Sequence, residues 1–230
     1  MRDDGRNDNE SRSVTAVVGG IIEADGSAEL SHRHSKYVAT VIGPTLARYS
    51  RLDNFKQALI DVSVEMCGEN IDNNSNKLMI GECEAFVRHV AYNCVDISLF
   101  PRTVISVKIL VTGCDGSLLS SSANVCMLAM LDCGLSMKAD IPWSVTICHF
   151  TSQDDITFLV DPTLNEEMNN CGVFVFSLSS SEDNSVSTTV SLLCESQFSS
   201  SSYIHASVLA ELACESLNLK MRCLLLTKLE

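Results

Sequence analysis

Residues 103–137 read TVISVKILVTGCDGSLLSSSANVCMLAMLDCGLSM, and the order of elements in this stretch decides the fold. Thr103 to Val111 is an alternating β-branched and apolar run, the pattern of a strand. Cys114-Asp115-Gly116 is a turn, because Gly supplies backbone conformations that other residues avoid. Ser120 to Cys133 is apolar at helical spacing and ends on Gly134, a helix stop. A strand fed through a glycine turn into a buried helix marks a chain that mixes sheet and helix in one core.

The pattern extends in both directions. Val14 to Ile22, Ala28 to His34 and Tyr37 to Ile42 predict three short strands of an antiparallel meander, broken at Asp25-Gly26 and Ser35-Lys36 and closed by Gly43-Pro44. Gln57 to Met66 adds a fourth strand, Cys67 to Asn76 a polar loop. Lys77 to Ser98 predicts a long helix whose face is Ile80, Cys83, Phe86, Val87, Val90, Ala91 and Cys94. Beyond residue 137 follow strands at Ser144 to His149, Ile156 to Val160, Val173 to Leu178 and Thr188 to Cys194. Ser199 to Ser202 then caps a last helix, Tyr203 to Leu226. The expectation is an α+β chain of two pseudo-repeated lobes, strands first and helix after, in one compact domain over residues 14–226. Residues 1–13 are expected to form a flexible polar tail and residues 227–230 a C-terminal tail. The serine clusters at 120–122, 179–181 and 199–202 read as caps and turns.

Composition narrows the function. The net charge of −13 over 230 residues repels phosphate, so nucleic acid can be held only locally. The cysteines, 11 in number, are odd in count and scattered through apolar segments, as expected of reduced core thiols in a nuclear or cytosolic protein rather than a secreted scaffold. None pairs at C-x₂₋₄-C spacing, so no metal and no cofactor are expected. No apolar run reaches the length of a membrane helix, so a soluble protein with no membrane association is expected. His32 and His34 read as a surface pair on an edge strand. His89, His149 and His205 stand alone, and Gly19-Gly20 lacks a phosphate-binding spacing.

Asp25-Gly26-Ser27-Ala28, Val38 to Val41 with Gly43-Pro44, Phe100-Pro101-Arg102-Thr103, Asp115-Gly116 with Asn124, Leu128 and Ala129, Asp132-Cys133-Gly134-Leu135-Ser136-Met137, and Val160-Asp161-Pro162-Thr163 together resemble, in order and spacing, the RNase PH family. The resemblance covers about residues 14 to 226, and the segment Ile141 to Thr163 is most similar to ring subunits of the eukaryotic RNA exosome. It implies the RNase PH fold (ribosomal protein S5 domain 2-like) and an ancestry in phosphorolytic 3′–5′ exoribonucleases.

Phosphorolysis brings two anions together and needs fixed cations beside them. In active relatives a D-G/A-G-T/S-R turn supplies an Arg that clamps phosphate with a helix N-terminus. The resemblance places Leu119 at that position, leaving Ser120 and Ser121 in a degenerate phosphate site. An Arg pair of the family falls near Leu78 and Met79, where Lys77 is the only cation. The family's two aspartates fall on Glu167 and Val173 or, with a shift of one residue, on Met168 and Phe174, a degenerate acidic site with at most one carboxylate. No catalytic residue is therefore expected.

The resemblance also places Thr45 to Arg51 at the central pore of a ring, where Arg48, Tyr49 and Arg51 can hold threaded single-stranded RNA. The implied role is a non-catalytic subunit supporting 3′–5′ processing and degradation of RNA, including rRNA maturation and mRNA turnover. The implied partners are other RNase PH-like subunits in a hexameric ring and RNA-binding cap subunits. The implied location is nucleus and nucleolus, also cytoplasm. The alternative is a stand-alone homodimeric nuclease, phosphorolytic or metal-dependent, using Glu167 or another carboxylate.

Overall fold

In a computed structural model of the chain, the described residues are 2, 4–46, 54–67, 74–138, 140–152, 155–180, 187–195 and 198–229. Among them the chain runs β1 (Thr15–Val18), β2 (Gly26–His32), β3 (Ser35–Leu46), β4 (Leu59–Met66), α1 (Asn74–Cys94), β5 (Thr103–Gly113), α2 (Leu118–Asp132), β6 (Trp143–Ser152), β7 (Asp155–Val160), α3 (Leu164–Met168), β8 (Gly172–Ser180), β9 (Ser187–Glu195) and α4 (Ser200–Leu229). The strands form two sheets, ordered β1-β2-β3-β5-β4 and β7-β6-β8-β9. The α+β expectation holds.

The boundary between the lobes differs from the expected one. β5, read as the opening strand of the second lobe, pairs antiparallel with β3 and parallel with β4, so it belongs to the first sheet. Ile105, Val107, Ile109 and Val111 are buried on the core face of β5, while Lys108 on the opposite face is exposed. β4 is therefore an edge strand whose α1 crossover leads into the parallel neighbour β5, not the fourth strand of a meander.

The helices follow their apolar spacing. Cys83, Phe86, Val87, Val90, Ala91 and Cys94 are all buried, one face of α1 turned toward β4 and α2. On α4 the buried residues are Ala206, Ala210, Ala213, Cys214, Leu217 and Met221, and the helix lies on β6 and β8. α2 is different: every residue from Ser120 to Met130 is buried, because the helix lies between the two sheets. Small side chains at its start admit the close approach. Asn124 exchanges two hydrogen bonds with the backbone of Ser144 on β6, at 2.9 and 2.8 Å. Ser120 to Ser122 are thus interior residues of α2, and the capping role expected of that cluster is not what they perform. Ser199 does cap α4, accepting from the Ser202 N–H at 3.1 Å.

Described residues of both expected tails continue into the fold. α4 continues to Leu229. At the other end, Arg2 and Arg12 are buried to 7% and 2% exposure and bind the segment after β7. Polar composition suggested solvent, but three arginines alternating with acids over twelve residues form an ionic strap that the rest of the chain completes.

Gly26 opens β2 where α2 ends. A Cβ there would meet the Ala129 carbonyl and sit 2.5 Å from the Cys133 amide nitrogen, both backbone atoms that cannot turn aside. Gly26→Val is expected to destabilise the protein by about 1–3 kcal/mol or more, read as a lowered urea midpoint.

Candidate functional site

The turn between β5 and α2 is held against the segment that follows β7. Gly116 has φ +81°, and a Cβ there would lie 2.6 Å from the Pro162 carbonyl oxygen, so only glycine lets the two segments touch. Ser117 begins α2 with φ +55° and offers no side-chain cap to the helix. Its hydroxyl donates to the Pro162 carbonyl at 3.2 Å, and its amide donates to Glu167 Oε1 at 2.6 Å. The amide at the mouth of the turn therefore already has an anion, supplied by α3. Thr163 and Glu166 form a capping box that fixes α3 in place.

A guanidinium reaches this turn from the N-terminal strap. Arg12 donates to both oxygens of Asp161, to the Asp115 carbonyl at 2.6 Å and to the Pro162 carbonyl at 3.2 Å. Arg2 forms a paired contact with Glu166 at 2.9 and 2.8 Å and donates to the Val160 and Asp161 carbonyls. Arg6 bonds Asp4 and reaches the Asp161 carbonyl at 3.2 Å. These cations meet the carbonyl side of the turn and are matched by carboxylates, so they present no unneutralised charge to an anion.

His32 completes the cluster. Its Nε2 lies 3.0 Å from Ser121 Oγ, its ring packs against Tyr37 at 5.6 Å, and it is 3% exposed. Burial, reinforced by the Arg12 charge, lowers its pKa from 6.5 to about 4, so it is neutral at physiological pH. Asp161 is pushed up by burial, but the Arg12 hydrogen bonds and charge outweigh that and hold it at about 2. A cavity of about 30 Å³ beside them is lined by His32, Ser120, Ser121, Asn124, Ser144, Thr146 and Asp161 among others. A volume of that size admits a water molecule and nothing larger. His32 Nδ1 and Ser144 Oγ, both buried, have no protein partner.

The structure brings Leu119, Ser120, Ser121 and Glu167 together around the turn. Leu119 is half-buried against the core. Ser120 and Ser121 do not receive an anion: Ser120 Oγ donates to the Ser117 carbonyl and accepts from Thr146, and Ser121 pairs with His32. Val173 packs on the core from β8 and adds no polar group. Leu78, at the start of α1, is 70% exposed. Arg48, Tyr49 and Arg51 lie outside the described residues. The surface pair expected of His32 and His34 does not exist, because a hairpin turn separates them: His32 pairs with Ser35 across the end of β2, which is an interior strand. Arg12 and Asp161 at the turn were missed; the signal was the repeated Arg and acid spacing of residues 2–12. Ten described cysteines are free thiols, and burial pushes Cys83, Cys94, Cys126, Cys148 and Cys214 up to about 12. Among the described residues no three His, Cys, Asp or Glu side chains are placed to hold a metal. None of the described helices is long and apolar enough to cross a membrane.

The model of the 3′ exoribonuclease family, domain 1, matches residues 10–136, which include the glycine turn and α2; the chain belongs to this RNase PH family. Exosome complex component Rrp41 of Methanosarcina mazei is 26% identical over 190 residues, covering 81% of this chain and 37% of the relative. The exosome complex exonuclease RRP46 homolog of Arabidopsis thaliana is 28% identical over 166 residues, covering 72% of this chain. The chain spans 37% and 65% of these two curated relatives. The crystal structure of rice (Oryza sativa) Rrp46 superposes with a TM-score of 0.82 at 22% identity, over 96% of this chain and 98% of that one, which confirms the fold.

The buried pair of titrating groups sets an acid limit on stability. Unfolded His32 takes a proton near 6.5 and the folded residue only near 4, so its contribution is complete above 6.5 and is lost as pH falls through 4. Asp161 follows, its contribution lost as pH drops from 3.8 toward 2. Unfolding free energy is expected to fall by on the order of 2–3 kcal/mol between pH 6.5 and 4, and His32→Gln is expected to flatten that slope in urea titrations.

Proposed function

We propose that the chain is a non-catalytic subunit of an RNA exosome core ring, forming part of the channel wall through which single-stranded RNA passes for 3′–5′ processing and decay, rRNA maturation and mRNA turnover included. One observation carries the reading: the turn that would grip phosphate has Leu119 where a cation is needed, and its Ser117 amide is occupied by the chain's own Glu167. An incoming phosphate meets an aliphatic side chain and a carboxylate, and the nearest guanidinium, Arg12, is already neutralised by Asp161. The stand-alone nuclease reading is weakened at Glu167, its named carboxylate, which the Ser117 amide already engages.

Membership of a ring agrees with the surface. Ile204, Val208, Leu212 and Leu219 of α4 are 51–66% exposed, an apolar stripe that a monomer has no use for. β1, β4, β7 and β9 are edges of their sheets, and such edges invite neighbours. The partners of this reading are other RNase PH-like subunits in a hexameric ring and RNA-binding cap subunits; the isolated chain pairs with itself as a homodimer. No cofactor takes part. The complex works in the nucleus and nucleolus, and also in the cytoplasm. Arg48, Tyr49 and Arg51 are the residues of this chain that meet threaded RNA.

The purified chain is expected to release no nucleoside diphosphates from a 3′-tailed RNA supplied with inorganic phosphate and magnesium; robust release overturns the non-catalytic reading. Arg48→Ala with Arg51→Ala is expected to lower RNA crosslinking to the co-purified complex without dissolving it, and an unchanged yield removes those residues from the RNA path.

A further inference from the structure

Phe55 is the most exposed phenylalanine among the described residues, with 74% of its surface in solvent. Its ring carries a cation on one face: the guanidinium carbon of Arg102 lies 5.1 Å from the ring centroid. The pair is held from the backbone. The Arg102 N–H donates to the Asn54 carbonyl at 2.9 Å, the Asn54 side chain accepts from the Lys56 N–H at 3.1 Å, and the Ala58 N–H donates to the Ile97 carbonyl at 2.9 Å. Phe55 therefore sits on a short segment pinned on both sides to the chain around the start of β5. Arg102 itself has φ +63°, a left-handed backbone that non-glycine residues adopt at a cost. Lys56, next in sequence, is exposed as well.

We propose that Phe55, Arg102 and Lys56 form a stacking platform for one unpaired base of single-stranded RNA. The inference rests on the reading of the chain as an RNA-handling ring subunit and adds a contact built on residues that reading does not use. The chemistry is complementary: a base offers a flat π face to the ring, and its flanking phosphates, which a chain of net charge −13 otherwise repels, suit the two local cations. A protein partner fits less well, because covering Phe55 would bury Lys56 and Arg102 with it, and lysine is depleted from interface cores. The contact reads no sequence, since every base has a π face.

The test uses the purified full chain and the complex that co-purifies with it, a fluorescein-labelled oligouridylate for affinity, and a 5-iodouridine oligonucleotide for crosslinking with the modified peptide identified by mass spectrometry. The wild-type crosslink is expected on the peptide containing Phe55. Phe55→Ala and Phe55→Leu are expected to weaken binding about tenfold, while Phe55→Tyr stays within about twofold. Arg102→Gln is expected to weaken binding and to flatten its salt dependence. A wild-type chain with no crosslink at Phe55, or a leucine variant that binds as tightly as the tyrosine variant, overturns the platform. So does a Phe55→Ala chain that keeps its RNA affinity but drops out of the complex, which would assign the patch to a protein neighbour. The ring reading fails on a separate result: a chain that crosslinks through Phe55 yet co-purifies with no RNase PH-like subunit keeps the platform and loses the ring.

Discussion

The buried ion pair between Arg12 and Asp161 organises the rest of this molecule. Asp161 follows β7 in a left-handed conformation, φ +51°, and Arg12 spans from it to the Asp115 carbonyl of the β5–α2 turn. One side chain thus ties together the N-terminal strap, the end of the second sheet and the entrance to the helix that both sheets share. Two buried charges must be taken out of water, and such a pair is favourable only when its remaining hydrogen bonds are satisfied. Here they are: the guanidinium also reaches two carbonyls, and the carboxylate also accepts from the Arg12 N–H at 2.9 Å. Removing either partner would strand the other.

The same arrangement leaves the polar groups of the turn bonded within the chain. Helix starts attract anions through unpaired amides, and the family exploits that with a guanidinium placed beside them. In this chain the amide at Ser117 bonds Glu167, the hydroxyls of Ser120 and Ser121 are used internally, and the guanidinium that does arrive approaches from the carbonyl side. The fold has kept the shape of an anion site and filled it with its own groups. The surface carries the other features of note: sheet edges, the apolar stripe of α4, and the exposed aromatic at Phe55.

Local patterns were legible in the sequence, and long-range ones were not. The face of α1 from Cys83 to Cys94 follows from helical periodicity alone. The pairing of β5 with β3 and β4 does not, because an apolar run announces a buried strand without naming its neighbours. His32 was misplaced because alternation continues across a hairpin turn that has no glycine or proline to mark it; Arg33 takes the positive φ instead. The strap of residues 2–12 was misread because charged composition predicts solvent exposure unless the partner is known, and the partners, Asp161 and Glu166, lie some 150 residues away. The bond from Ser117 to Glu167 is of the same kind.

The most direct test of the account is a titration of the folded chain with inorganic phosphate, followed through the backbone amide resonances of Gly116, Ser117 and Leu118. A turn whose amide is already bonded to Glu167 predicts no saturable shift at millimolar phosphate. A saturable shift confined to those amides would contradict it, since it would mean that phosphate displaces the carboxylate and that the site still grips its ancestral anion.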